Sequence, residues 1–248
     1  MKGEIVIYTG PMFSGKTTAL LIEIELAEIS GRIRGSPGSI AIKPSVDTRY
    51  SSFVFDESTG LYKGRIDAHN KNYFECWGAR TFEDIYNIYR KLRERNGKIE
   101  QIGIDEVNLF GGDPKTALEI FEYFAYREGV RVIASGLDTN YRGEPFSPIP
   151  ELMSIADKVE KRTAVCKKCG SRDATRTQRL TLAGFENHKP IYLPSHYDEE
   201  TIIVGGGLDE DAVRNILKDE SRINLPLHIY EPRCVNCHEV PGKPRRYW

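Results

Sequence analysis

A glycine-bounded turn near the start of the chain limits what it can fold into. Residues 10–17 read Gly10-Pro11-Met12-Phe13-Ser14-Gly15-Lys16-Thr17, the pattern G-x-x-x-x-G-K-T. The turn follows an apolar run, Ile5-Val6-Ile7-Tyr8, and precedes an apolar-rich segment from Thr18 to Ile29. Strand, glycine loop and helix in that order make a phosphate cradle. The two glycines let the backbone curl so that successive N–H groups face phosphate oxygens. Lys16 reaches the β- and γ-phosphates and the Thr17 hydroxyl is placed to ligate Mg²⁺. The helix that follows adds the positive end of its dipole. Octapeptides of this kind also occur by chance on ordinary turns. The flanking strand and helix favour nucleotide binding here.

The 248 residues suffice for one large domain or one domain with a small appendage. Apolar content of 40% and charged content of 29% are ordinary for a globular protein. Acidic and basic residues nearly cancel, for a formal charge of −1, which points away from nucleic-acid and membrane-surface partners. No apolar run approaches a membrane span and no signal-peptide core precedes the first strand, so the expectation is a cytoplasmic protein.

The alternation of apolar strands and amphipathic helices continues to about residue 160. It predicts an α/β domain with a mostly parallel sheet. Strands are expected over 3–9, 39–43, 99–104 and 130–135, with a hairpin-like excursion over 53–68. Helices are expected over 17–29 with Gly31 as the stop, over 82–95 behind a Thr81 cap, and over 114–127. The Thr18–Ile29 segment is apolar on more than one stripe, so it should pack on the sheet and against a neighbour. Beyond residue 163 this rhythm gives way to short polar stretches, prolines and two CxxC pairs. A boundary is therefore placed between residues 1–163 and 164–248, with a short helix expected over Asp209–Lys218.

The strand Ile102-Gly103-Ile104 ends in Asp105-Glu106. A carboxylate at the end of an apolar strand is the usual magnesium partner of a glycine loop, which assigns Asp105 with Thr17 to the cation. Adjacent strand residues point to opposite faces, so Glu106 does not share that role by simple geometry, but it can turn toward the substrate if the strand has ended. There it could accept a proton from an attacking hydroxyl or from water. A kinase and an ATP-hydrolysing protein both use such a pair. Arg49 and Arg142 are further cationic candidates for phosphate.

Cys166-x-x-Cys169 and Cys234-x-x-Cys237 are two knuckles separated by residues 170–233. Each places two thiolates on one side of a turn, and two knuckles complete a tetrahedral S₄ site for structural zinc. Disulfides or free thiols are the alternatives. Four cysteine ligands leave no open position, so the metal would not be catalytic. Cys76 stands alone and reads as a small buried residue.

Together these motifs resemble the type II, cytosolic-type thymidine kinase family. The matching runs are GPMFSGKTT at 10–18, DTRYSS at 47–52, GIDE at 103–106, GLD at 136–138, RGEPF at 142–146, ADKVEKRTAVCKKCG at 156–170, TQRL at 177–180, VGG at 204–206 and YEPRC at 230–234. The resemblance implies a RecA-like P-loop domain with a mostly parallel sheet, plus a small zinc-binding lasso domain. It implies ATP-dependent phosphorylation of the thymidine 5′-hydroxyl, with another deoxynucleoside such as deoxyuridine, or plain ATP hydrolysis, as the alternatives. Glu106 would be the general base. Gly10 to Thr17, Asp47, Arg49 and Asp105 would hold ATP and Mg²⁺. Met12, Leu137, Tyr141, Thr201, Ile202, Ile203, Val204, Gly205 and Tyr230 would contact the nucleoside. A homotetramer and feedback inhibition by dTTP are also implied. The chain departs from the family pattern at Asn108 (usually Gln), at Val235 (commonly Arg) and at Tyr141 (usually Phe). It also carries an inserted segment at about 207–229.

Overall fold

The computed structural model describes residues 3–35, 38–47, 52–67, 73–186, 189–200 and 228–244. The chain divides into two compact units. The first comprises Met1–Gly10, Gly15–Asp138 and Pro145–Arg162, and the second Pro11–Ser14, Thr139–Glu144 and Thr163–Trp248.

The first unit is built on β1 (Ile5–Thr9), β2 (Ser39–Pro44), β3 (Val54–Asp56), β4 (Leu61–Asp67), β5 (Tyr73–Ala79), β6 (Gln101–Ile104), β7 (Arg131–Gly136) and β8 (Lys158–Lys161). These make one sheet in the order β3-β4-β5-β2-β6-β7-β1-β8. The run from β5 to β8 is parallel, and the β3–β4 hairpin adds antiparallel to β5. Strands β1 and β6 are buried throughout, as the middle of a parallel sheet covered on both faces requires. Alternation within β1 sorts its side chains. Ile5 and Ile7 join the larger core with α2 (Phe82–Asn96) and α3 (Pro114–Glu122), while Val6 and Tyr8 join Leu20, Leu21 and Ile24 of α1 (Lys16–Arg34). A Cβ at Gly103 of β6 would fall 2.5 Å from Ile24 Cδ1, so the close approach of α1 to the sheet depends on that glycine. A fourth helix, α4 (Ile149–Ile155), completes this unit.

Several boundaries differ from expectation. Helix α1 runs through Gly31, which is buried within it, and stops at Gly35, whose left-handed φ of 66° ends the ladder. Of its two apolar stripes, Leu20, Leu21 and Ile24 face the sheet, whereas Ile22, Leu26, Ile29 and Ile33 are exposed. Helix α3 ends at Glu122 and continues as a wider π turn, Tyr123–Arg127. Strands β5 and β8 and helix α4 had no clear periodic signal.

The second unit contains a three-stranded antiparallel sheet in the order β10-β9-β11, made of β9 (Arg176–Glu186), β10 (Lys189–Pro194) and β11 (His228–Arg233). The short helix expected over 209–218 lies outside the described residues. Among the described residues no helix is long and apolar enough to cross a membrane.

Helix α2 carries a complete capping box. The Thr81 hydroxyl accepts from Asp84 N–H at 3.2 Å, and the Asp84 carboxylate accepts from Thr81 N–H at 3.1 Å. Thr81→Ala is expected to lower the unfolding free energy by about 1 kcal/mol, measured as a shift of the urea midpoint at constant slope.

Candidate active site and cysteine centre

Two glycines shape the phosphate loop. Gly10 has φ 130°, and a Cβ there would lie 2.2 Å from the carbonyl oxygen of Arg162. Gly15 has φ 77° and opens α1. Lys16, the first residue of α1, is buried. The Thr17 hydroxyl donates to the Asp105 carboxylate, 3.2 Å from Oδ1 and 3.3 Å from Oδ2.

Asp105 leaves the end of β6, with its N–H donating to the Ile42 carbonyl at 3.0 Å. Its Oδ1 also accepts from the hydroxyl of Ser135 on β7. Strand register accounts for that contact, since Gly103 pairs with Ile133 and Ile104 with Ala134, which brings Asp105 beside Ser135. The sequence motifs did not single out Ser135. Thr17 and Asp105 together form a hard-oxygen donor pair, the ligand type that magnesium takes.

Glu106 does not continue the strand. It sits at φ 49°, ψ 47°, in the left-handed region, and starts a short 3-10 turn over Val107–Leu109. The alternation that would have sent it to the face opposite Asp105 has ended. Asn108, in that turn, is buried, and its Oδ1 accepts from Leu137 N–H at 2.8 Å. This ties the segment after β7 to the segment after β6. Asp47 is buried and ion-paired with Lys43 at 3.5 Å. Lys43 also donates to the Arg65 carbonyl at 3.1 Å. Arg49 lies outside the described residues.

In the second unit, Met12 N–H donates to the Thr177 hydroxyl of β9 at 3.0 Å. Met12 is half-buried and Phe13, at φ 62°, is exposed. Tyr141 is only 3% exposed. Its hydroxyl lies 2.8 Å from the carbonyl oxygens of both His196 and Glu199, and its ring lies under the Arg179 guanidinium. Arg142 is engaged rather than open to phosphate. It donates to the Glu199 carbonyl at 2.8 Å and stacks on Tyr197. Tyr230 on β11 is half-buried and is the register partner of Arg179 on β9. Thr201, Ile202, Ile203, Val204 and Gly205 lie outside the described residues.

His228 is buried and 3.1 Å from the Thr181 hydroxyl through Nδ1. Burial, aided by the Arg179 charge, holds its pKa below the ordinary histidine value, so the neutral ring is favoured.

The two knuckles converge. The sulfur atoms of Cys166, Cys169, Cys234 and Cys237 all lie within 4.8 Å of one another. Cys169 and Cys234 are 3.7 Å apart, far from disulfide bonding distance. Tetrahedral zinc with bonds near 2.3 Å sets sulfur atoms about 3.8 Å apart, so the four cysteines fit that ion. Burial would raise the Cys166 thiol. Backbone N–H groups of Cys234, Cys169 and Lys168 outweigh it and lower the pKa to about 6. Hydrogen bonding to Cys234 and burial push Cys237 up to about 12. A cluster of thiols without a cation resists further ionisation, and a dication removes that resistance. Cys76 is elsewhere, buried, with its thiol raised to about 12 by desolvation.

Comparison with known proteins agrees on one family. The family model described as Thymidine kinase matches residues 3–213. A thymidine kinase of Halobacterium salinarum is 35% identical over 242 residues, covering 96% of this chain and 95% of the relative. One from Haloquadratum walsbyi is 33% identical, covering 95% of each. One from Coprothermobacter proteolyticus is 34% identical, covering 97% of this chain and 93% of the relative.

The cysteine centre has a direct test. Metal analysis of purified protein is expected to return about one zinc per chain. Cys237→Ser, or prolonged chelation, should lower the melting temperature by at least ~5 °C, because metal binding to the folded state is folding free energy.

Proposed function

The chain belongs to the thymidine kinase family, and we propose that it transfers the γ-phosphoryl group of ATP to the 5′-hydroxyl of thymidine. The observation that carries the chemistry is the end of β6. There Asp105 is held against Thr17 of the phosphate-loop helix, and Glu106 is turned out of the strand directly after it.

The reaction needs a new bond between the nucleoside O5′ and the γ-phosphorus. The bond from that phosphorus to the β,γ-bridging oxygen breaks, and ADP leaves. Loop N–H groups and Lys16 hold the phosphates and offset charge that develops on the transferred group. Thr17 and Asp105 are the residues that would hold Mg²⁺, which would supply charge neutralisation at the phosphates. Glu106 takes the 5′-hydroxyl proton as O5′ attacks. Asp47 and Arg49 serve the phosphates of ATP. Met12, Leu137, Tyr141, Tyr230 and the stretch 201–205 contact the nucleoside. The four cysteines hold a structural zinc, and the enzyme works in nucleotide salvage in the cytoplasm, with dTTP as its feedback inhibitor.

A panel assay with labelled ATP, Mg²⁺ and separate nucleosides tests the reading. Labelled thymidine monophosphate is expected. Label on deoxyuridine but not on thymidine would reassign the substrate, and phosphate release without nucleoside would make the protein an ATPase. Glu106→Gln is expected to cut turnover by at least ~100-fold, as loss of a general base does, while ATP binding by equilibrium titration is retained. Turnover near wild type would remove Glu106 from that role.

The chain assembles as a homotetramer in this reading, and α1 offers a surface for one contact between two copies. Ile22, Leu26, Ile29 and Ile33 form an exposed stripe at spacings of four, three and four residues, and Ile33 is 82% exposed. A second copy of the same stripe is a matching partner. Leu26→Glu with Ile33→Glu should shift the protein to smaller species in sedimentation. An unchanged sedimentation coefficient would exclude α1 from the interface.

A further inference from the structure

Strand β9 turns Thr177, Arg179 and Thr181 to one face, and each of the three holds a different segment. Thr177 accepts the Met12 N–H. The Thr181 hydroxyl is 2.6 Å from Ser195 Oγ, 3.2 Å from the Glu199 carboxylate and 3.1 Å from His228 Nδ1. Arg179 stands between them and is wholly buried, at 0% exposure. Its Nε donates to Ser195 Oγ at 3.0 Å and its Nη2 to Glu199 Oε2 at 3.1 Å, while Nη1 donates to the Glu200 carbonyl. The guanidinium carbon sits 3.7 Å from the centroid of the Tyr141 ring. Directly across the ladder, on the same face of the sheet, is Tyr230.

Burying a guanidinium is costly unless its donors are paired, and an apolar side chain of similar volume would serve packing as well. What the arginine adds is geometry. Its planar fork fixes directions that a leucine or a lysine cannot. The array closes on itself, because the Tyr141 hydroxyl donates toward the carbonyls of His196 and Glu199, the segment the guanidinium also holds.

We infer that Arg179 is the positioning residue for nucleoside recognition: with the Tyr141 hydroxyl it fixes the plane of the Tyr141 ring, the Ser195–Glu200 turn and the face that carries Tyr230. Being wholly buried, it acts through these groups rather than by contact with substrate. The inference rests on the reading that Tyr141 and Tyr230 contact the nucleoside. It also gives the hydroxyl of Tyr141 a use separate from that of its ring. The ring meets the base, and the hydroxyl anchors the ring.

The test uses the full-length protein with Arg179→Lys, Tyr141→Phe and the double variant. Zinc content and melting temperature are measured on each. Either single change is expected to raise the thymidine KM roughly five- to tenfold, as loss of one or two hydrogen bonds predicts, and to leave the ATP KM within about twofold. The double variant should be no worse than the weaker-binding single one, since both act through one array. Equal rises in both KM values, additive effects, or an unchanged thymidine KM would overturn the inference. If Arg179→Lys does not yield folded, zinc-containing protein, Tyr141→Phe decides alone, because it removes one oxygen and keeps the ring. Wild-type thymidine turnover is the control. Its absence overturns the nucleoside reading, whereas its presence with unshifted KM values overturns only the role of Arg179.

Discussion

Parallel pairing sets the carboxyl ends of β1, β6 and β7 side by side, and the chemistry of the first unit depends on that arrangement. Val6, Ile133 and Gly103 form one row across the three strands. Ile7, Ala134 and Ile104 form the next, and Tyr8 and Ser135 the next, with Asp105 extending that row beyond β6. Rows alternate between the two faces of the sheet. The first row lies under α1, as the contacts of Val6 and Ile133 with Leu20 and Ile24 show. The third therefore returns to that side, where Thr17 in the first turn of α1 meets Asp105. A slip of one residue in β6 would send Asp105 to the α2 and α3 side and leave Thr17 without its carboxylate. The Thr17–Asp105 pairing is thus a consequence of register, which is in turn set by which apolar residues fit which core.

Backbone strain falls on one non-glycine residue in each unit. Among the described residues other than glycine, only Phe13 and Glu106 have positive φ. Each such residue costs of order 1–3 kcal/mol. A glycine would relieve that cost but would carry no side chain. At position 106 the sequence keeps a carboxylate in a conformation that suits glycine, which is the pattern expected where the side chain itself is needed.

Much of this was legible in the sequence, for physical reasons that differ by residue. The phosphate loop, Asp105 and the cysteine knuckles are local motifs whose spacing is their geometry. Helix α2 announced itself through Phe82, Ile85, Ile88, Tyr89 and Leu92 behind a Thr81 cap. Gly31 misled as a stop because a glycine within a helix is tolerated where packing needs it, and the helix-forming Arg32 and Arg34 carry the helix on to its true terminus at Gly35. Ser135 was invisible because its role depends on pairing with a strand some thirty residues earlier, and register cannot be read from one strand alone. Tyr141 was legible as an aromatic in a family motif. The destination of its hydroxyl depends on the His196–Glu199 segment, more than fifty residues away.

Strand β9 was hidden for a further reason, and that reason separates the two units. The first unit hides β1, β2, β6 and β7 in apolar cores, so hydrophobic pattern finds them. The second has a small apolar cluster around Ala164, Cys166, Ala174 and Cys234. Its central strand buries Thr177, Gln178 and Arg179 instead. Gln178 exchanges two hydrogen bonds with the Glu239 backbone, next to the second knuckle, and Arg179 binds the Ser195–Glu200 turn. Polar residues that are buried because they are paired read, in sequence, like loop. A unit held by such pairs gains little from apolar burial and needs a cross-link to offset chain entropy. Four cysteines spanning residues 166–237 supply the ligands for one. The cysteine cluster and the polar strand are therefore complementary: a metal held by the four thiolates would supply stability that a strand burying paired polar side chains does not.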